Sequence, residues 1–167
     1  MTADRVTELE QRLQRIEDER AVERLIASYG PLVDAGQAEA TAQLWAVDGS
    51  YDVEGWPMAS RADVAAMVRS DAHQGLIGGG STHFLGPAVV TVAGDDAVAV
   101  CESILVVRHD NKHLVARAGA NYFGLRRIDG RWQITSRITR ALDGGTEARE
   151  LLAAGIAGTA AHGNRPR

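Results

Sequence analysis

With one cysteine, Cys101, the chain can close no internal disulfide, and with no second thiol nearby it cannot seed a thiolate metal cluster; Cys101 reads as a buried strand thiol. No apolar run approaches the ~20 residues that cross a bilayer, and the N-terminus, MTADRVTELEQRLQRIEDER, has no apolar signal core. Membrane is therefore excluded as a partner, and the expected location is the cytoplasm. The net charge is −4, and the nearest approach to a basic face is the Arg126, Arg127 and Arg131 group around one turn. Nucleic acid is excluded with it, because tracking phosphates needs a sustained basic surface. GxGxxG, GK[ST], HExxH and CxxC are all missing. Gly78-Gly79-Gly80 follows a helical pattern instead of opening one, so it reads as a loop and not as a phosphate cradle. The histidines, at 73, 83, 109, 113 and 162, form no pair at ligand spacing on one element. Neither metal nor cofactor is expected, and any chemistry falls to ordinary side chains.

What is present is the balance of a globular domain, 167 residues with 45% apolar and 24% charged. From Leu9, the apolar residues Leu13, Ile16, Val22, Leu25, Ile26 and Tyr29 recur at steps of three and four, which predicts one long amphipathic helix. Its first turns carry only a thin apolar seam. Gly30-Pro31 should end or kink it, because Pro31 removes a donor and crowds the turn before it. A second helix is expected over Gln37–Trp45, and Asp48-Gly49 should turn into a short strand over Ser50–Val53. Ser60 and Asp63 form a capping-box pattern for a third helix running to about His73.

After His83 the chain turns to β-branched and aromatic residues, over Val89–Val92, Val98–Val107, His113–Leu125 and Trp132–Thr139. The gaps hold Gly94-Asp95, Asp110-Asn111 and Asp129-Gly130. Helices followed by a meander predict an α+β fold, a cone-shaped barrel of curved antiparallel sheet wrapped round three N-terminal helices. Residues 1–145 should form this domain. Residues 146–167 should form a C-terminal helix and tail, with a helix over Thr146–Ala154 and a frayed end from Gly163.

A cone of this kind encloses a pocket, and a polar residue inside it needs a reason to be there. Asp34 follows the apolar Leu32-Val33 at the inner end of the first helix; it is either a pocket carboxylate or the N-cap of the second helix. His83 opens the sheet; it is either a satisfied structural histidine or, with Asp34 beside it, a general base matched to neutral pH. His73 and His113 read as solvent-facing.

Tyr29, Asp34, Leu44-Trp45, Asp48-Gly49, Glu54-Gly55, His83-Phe84, Asn121 and Ile128-Asp129-Gly130-Arg131-Trp132 together carry a resemblance. Over about positions 8 to 142 the chain resembles the SnoaL-like branch of the nuclear transport factor 2 superfamily. Within it, the pattern is similar to the group of scytalone dehydratase, hexachlorocyclohexane dehydrochlorinase and bile acid 7α-dehydratase. The resemblance implies a cofactor-free lyase, a dehydratase or dehydrohalogenase, in which His83 oriented by Asp34 removes a proton next to a leaving hydroxyl or halide. The implied substrate is a small or polycyclic apolar or aromatic molecule. Tyr29 falls near a polar helper, Asn121 on a substrate-facing asparagine, and Arg140 near an arginine of the bile acid enzyme. Trp45, Trp56 and Phe123 are expected to shape the pocket. The pattern departs from its relatives at the accessory acid: Arg108 and His109 lie only at a hairpin end, and Glu102 is out of register. An isomerase or aldol-type cyclase with Asp34 as direct base, and a non-catalytic binding domain, are the alternatives. A homodimer or homotrimer is expected, because relatives associate through the open sheet face and because Leu9, Leu13 and Ile16 need a partner.

Overall fold

A computed structural model describes residues 3–161. The frayed end expected from Gly163, and His162, lie outside the described residues. The chain opens with helix α1 (Ala3–Asp34), followed by α2 (Ala38–Ala42), strands β1 (Trp45–Val53) and β2 (Trp56–Met58), and helices α3 (Arg61–Arg69) and α4 (Asp71–Gly79). Strands β3 (Ser81–Leu85), β4 (Val89–Ala93), β5 (Asp96–His109), β6 (Lys112–Ile128) and β7 (Arg131–Ala141) then precede α5 (Thr146–Ile156).

The seven strands form one curved α+β sheet in the order β2-β1-β7-β6-β5-β3, with β4 also on β5. Its pairings are antiparallel except for β1 on β7, which run parallel. The sheet stays open between β2 and β3, so the cone is a curved wrap and not a closed barrel. No helix among the described residues is long and apolar enough to cross a membrane.

Local chemistry explains where the elements differ from expectation. The first helix runs through Gly30-Pro31 to Asp34 without a break. Pro31 is exposed, and Gly30 is buried beneath the backbone of β3. A Cβ at Gly30 would stand 2.1 Å from the His83 carbonyl oxygen, so glycine there lets helix and strand meet. That packing carries the helix past the proline. The second helix is short, and strand begins at Trp45, its register on β7 shifting between Trp45 and Ser50. Asp48-Gly49 therefore lies inside β1, while Glu54-Gly55, both at positive φ, turns β1 into β2.

The third helix is two. Ser70 is extended (ψ 147°) and serves both: its hydroxyl donates to the Met67 carbonyl that ends α3 and accepts from the His73 N–H that begins α4. Four helices, not three, thus precede β3, and the break turns His73 inward.

The core lies between the inner face of α1 and the concave side of the sheet. Val22, Ile26, Tyr29 and Val33 pack there with Trp45, Tyr51, Val64, Val68, Phe123 and Ile134. On the convex side, α5 covers β5, where a Cβ at Gly155 would stand 2.3 Å from the Cβ of Val100. One buried polar node ties α1 to the β6–β7 hairpin. Asp18 accepts from the Trp132 indole at 3.2 Å and pairs with Arg127 at 2.7 Å, and that guanidinium sits 4.7 Å over the Trp132 ring. Burial alone would raise the Asp18 carboxyl, but hydrogen bonds from Arg127, Trp132 and Gln14 outweigh it and hold the group below its ordinary value.

Candidate active site

Asp34 is the last residue of α1, one turn beyond Gly30 and on the same face, since residues four apart stack on a helix. The strand that Gly30 admits is therefore delivered to Asp34. One carboxylate oxygen accepts the backbone N–H of His83 at 2.7 Å, and the other meets Nδ1 of its ring at 2.6 Å. The carboxylate thus grips backbone and imidazole together. An ionised carboxylate can only accept, so facing Asp34 the ring carries its proton on Nδ1, which in the neutral imidazole leaves the lone pair on Nε2. His83 lines a cavity of about 140 Å³ with Tyr29, Tyr51, Met58, Met67, Leu85 and Ser103, whereas Asp34 stands behind it.

Opposite lies a residue that the sequence did not single out. Arg137 on β7 is 3% exposed and lines the same cavity. Its guanidinium carbon lies 4.1 Å from the Tyr29 ring centre, 4.4 Å from that of Tyr51 and 5.1 Å from that of Phe123. One nitrogen, Nη2, donates to Asn121 Oδ1 at 2.7 Å. Among the described residues no carboxylate pairs with Arg137, and its Nε and Nη1 are buried without a hydrogen-bond partner. A buried cation is costly unless something answers it. Three ring faces answer part of that cost, and the spare N–H groups remain for an anion or for negative charge developing in the cavity. The Tyr29 ring, 6.4 Å from that of His83, spans the distance between base and cation. Burial, reinforced by Tyr51 and opposed by Arg137, pushes the Tyr29 phenol well above its ordinary value, so it stays protonated.

The remaining candidates divide into three places. Asn121 is fully buried beneath the cavity wall; its amide donates to Ser103 Oγ at 2.8 Å, and its oxygen accepts from Thr139 at 2.9 Å as well as from Arg137. It holds Arg137 and does not itself line the cavity. Phe123 and Trp45, both 0% exposed, pack under Arg137 and against Tyr29. Trp56 is 58% exposed and stands at the mouth. Arg140 is outside, paired with Asp52 at 2.7 Å and Glu147 at 2.5 Å. Alternation along β7 turns Arg137 and Thr139 inward and Arg140 away, so the arginine in the cavity is three positions earlier than expected.

His73 corrects a second expectation. It is buried, not solvent-facing, with its ring 5.5 Å from that of His83, and it lines the cavity. Burial, and then His83, holds it below the ordinary histidine value, against a hydrogen bond to the Val33 carbonyl and the nearby charge of Asp34. The signal was present in Ser70, whose capping pattern with His73 lay hidden inside one longer helical run. His113, His109 and Glu102 are exposed. Cys101 is buried, with its thiol pushed up to about 11 chiefly by that burial, which makes it unreactive. Among the described residues no three His, Cys, Asp or Glu side chains converge to hold a metal ion.

Comparison with known proteins places this geometry. The family model described as a SnoaL-like domain matches residues 14–138. A nuclear transport factor 2-like protein with a cystatin-like fold, from Novosphingobium aromaticivorans, is similar at 41% identity, with 90% of this chain and 99% of that one covered and a TM-score of 0.87. A protein of unknown function from Mycobacterium tuberculosis, solved as an Asp-to-Asn variant, shares the fold at 21% identity (95% and 97% covered, TM-score 0.67). A second Novosphingobium aromaticivorans protein, provisionally named a scytalone dehydratase, shares it at 18% identity (76% and 85% covered, TM-score 0.63). No match was found among the curated proteins.

Proposed function

The chain belongs to the SnoaL-like domain family, and from that premise we propose that it is a cofactor-independent lyase in which His83 abstracts a proton and Arg137 receives the leaving group. The observation that carries this reading is the two-point grip of Asp34 on His83. It fixes the ring's orientation and tautomer, and it leaves a negative charge to stabilise the imidazolium formed when Nε2 takes a proton. In the step itself, Nε2 removes a proton from carbon, the C–H electron pair becomes a C=C bond, and the adjacent C–X bond breaks. A halide departs as an anion beside Arg137, while a departing oxygen takes the proton back from His83 and leaves as water. Positioned general base catalysis of this kind is worth about 10²–10⁴-fold.

The cavity narrows the substrate class. About 140 Å³ is the volume of a site that holds a single benzene-sized ring. This favours a one-ring or short-chain substrate over a polycyclic one, with any larger part lying outside past Trp56. Aldol cyclisation or isomerisation with Asp34 as the direct base fits less well, because both carboxylate oxygens are turned to His83 and Asp34 does not line the cavity.

A panel of single-ring and short-chain molecules bearing a hydroxyl or halide β to an acidic C–H tests the proposal, read first by thermal shift and then by turnover. The native protein is expected to be stabilised by some members and to convert them to alkenes, while His83→Ala binds them but loses turnover by two orders of magnitude or more. Stabilisation by ligands that the native protein never converts would make this a binding domain. Turnover undiminished in His83→Ala would remove the base from the mechanism.

A further inference from the structure

The first fourteen side chains described on α1, Asp4 to Glu17, are all exposed over about 21 Å of helix; Gln11, Gln14 and Arg15 face Val92, Gly94 and Asp95 across a shallow pocket on one side, and the other side is turned from the domain. Its four large apolar residues are Val6 (36% exposed), Leu9 (45%), Leu13 (55%) and Ile16 (60%). At 3.6 residues per turn they fall within an arc of about 80°, and that arc points about 150° away from the face on which Val22, Ile26, Tyr29 and Val33 meet the core. The seam is therefore not a continuation of the buried stripe, and among the described residues it stays exposed. Its spacing of three, four and three is that of the a and d positions of a coiled coil, and Asp18, at f, is where the domain takes over the opposite face.

We propose that this seam pairs with the same seam of a second copy of the chain, as a parallel two-stranded coiled coil that joins two domains at their N-terminal helices. The flanking charges set the orientation. With Val6 and Leu13 at a, the g positions are Arg5, Arg12 and Glu19, and the e positions are Glu10, Glu17 and Arg24. In a parallel pair each g faces the e five residues on in the other helix. Arg5 then meets Glu10, Arg12 meets Glu17, and Glu19 meets Arg24, every pair opposite in sign and each occurring twice. An antiparallel pair would set Arg12 against Arg12 and Glu10 against Glu10 at its centre. The strict a/d width of the seam, with charged e and g flanks, suits two strands; three would bury more of those flanks. The domain anchors the helix from Asp18 onward, so the projecting turns need no separate nucleation.

Sedimentation of the full chain at micromolar concentration tests this, with each variant's melting temperature as a fold control. The native chain should be a dimer, and Leu13→Glu should be a monomer that melts no lower than a native monomer. Arg12→Glu should weaken the dimer roughly tenfold, the size expected when two attractive pairs become repulsive, and adding Glu17→Arg should restore it. Because Cys101 is buried, Leu13→Cys should give a self-linked dimer on oxidation without competition. A native monomer, a native trimer, a dimer that survives Leu13→Glu, or cross-linking only when Leu9→Cys and Leu13→Cys chains are mixed would each overturn the proposal.

Discussion

The two halves of α1 have opposite relations to the rest of the molecule. From Asp18 to Asp34 the helix is held at every turn, through the Trp132 and Arg127 node, the core side chains, the close approach at Gly30 and the grip on His83. From Asp4 to Glu17 its side chains are exposed, and its large apolar residues, Val6, Leu9, Leu13 and Ile16, lie outside the core. The difference is one of angle: the apolar stripe crosses to the other side of the helix near Asp18. Amphipathicity therefore indicates that a helix has a partner, while only the direction of the stripe says whether that partner lies within the chain.

Gly30→Ala should give the largest effect on stability in the inner half. Alanine in place of glycine within a helix ordinarily adds about 1 kcal/mol. Here the new methyl would meet a backbone carbonyl oxygen at 2.1 Å, which cannot swing aside as a side chain would. The clash should prevail, destabilising by about 1–3 kcal/mol and moving His83 off Asp34, so that activity falls further than stability. An alanine variant as stable as the native chain would show that β3 is not held by this contact.

Asp18→Ala should come next, costing about 1–3 kcal/mol by leaving the Trp132 N–H without its acceptor and the Arg127 guanidinium with Asp95 alone. The carboxyl is held below its ordinary value of 3.8 in the folded chain, so its contribution is fully present above that pH. It disappears as pH falls through the lower folded value, because there the folded state must take up a proton that the unfolded state has already bound. Urea titrations from pH 6 to 2 should show the native chain losing this margin while the variant, already without it, declines less. Parallel curves would remove Asp18 from the acid response.

Leu13→Glu, in the outer half, should change the melting temperature least of all when it is compared at concentrations where the native chain is also monomeric, since within one copy Leu13 lies outside the core and such substitutions stay within about 0.5 kcal/mol. Its effect should appear in association alone.

Much of the fold was legible because its signals are periodic and local. The strand runs, the three dipeptides between the long strands and the Ser60–Asp63 capping box lie where the structure puts strands, turns and a helix start, whereas Asp48-Gly49, read as a turn, lies inside β1. What was not legible depends on two segments meeting. Gly30-Pro31 reads as a break in isolation and is a continuous helix only because β3 packs on Gly30. Ser70 ends one helix and begins another, and a single helical reading across it sends His73 to solvent. Asp34 and His83 could be named as a pair through resemblance, but the two-point grip needed both backbones in place. Along β7 the choice between Arg137 and Arg140 is a matter of which face each strand position presents, which composition does not settle.

Asp34 sets the tautomer of His83, and nitrogen-15 NMR of the labelled histidine ring reads this without any substrate. In the native chain the carboxylate accepts from both the backbone N–H and the ring, so the proton should sit on Nδ1 and Nε2 should be bare. In Asp34→Asn the amide has only one oxygen, the backbone N–H must keep it, and the amide nitrogen would then donate to Nδ1, driving the ring proton to Nε2. The native protein should therefore show an Nδ1–H ring and the variant an Nε2–H ring. An Nε2–H ring in the native protein, or the same tautomer in both, would contradict it.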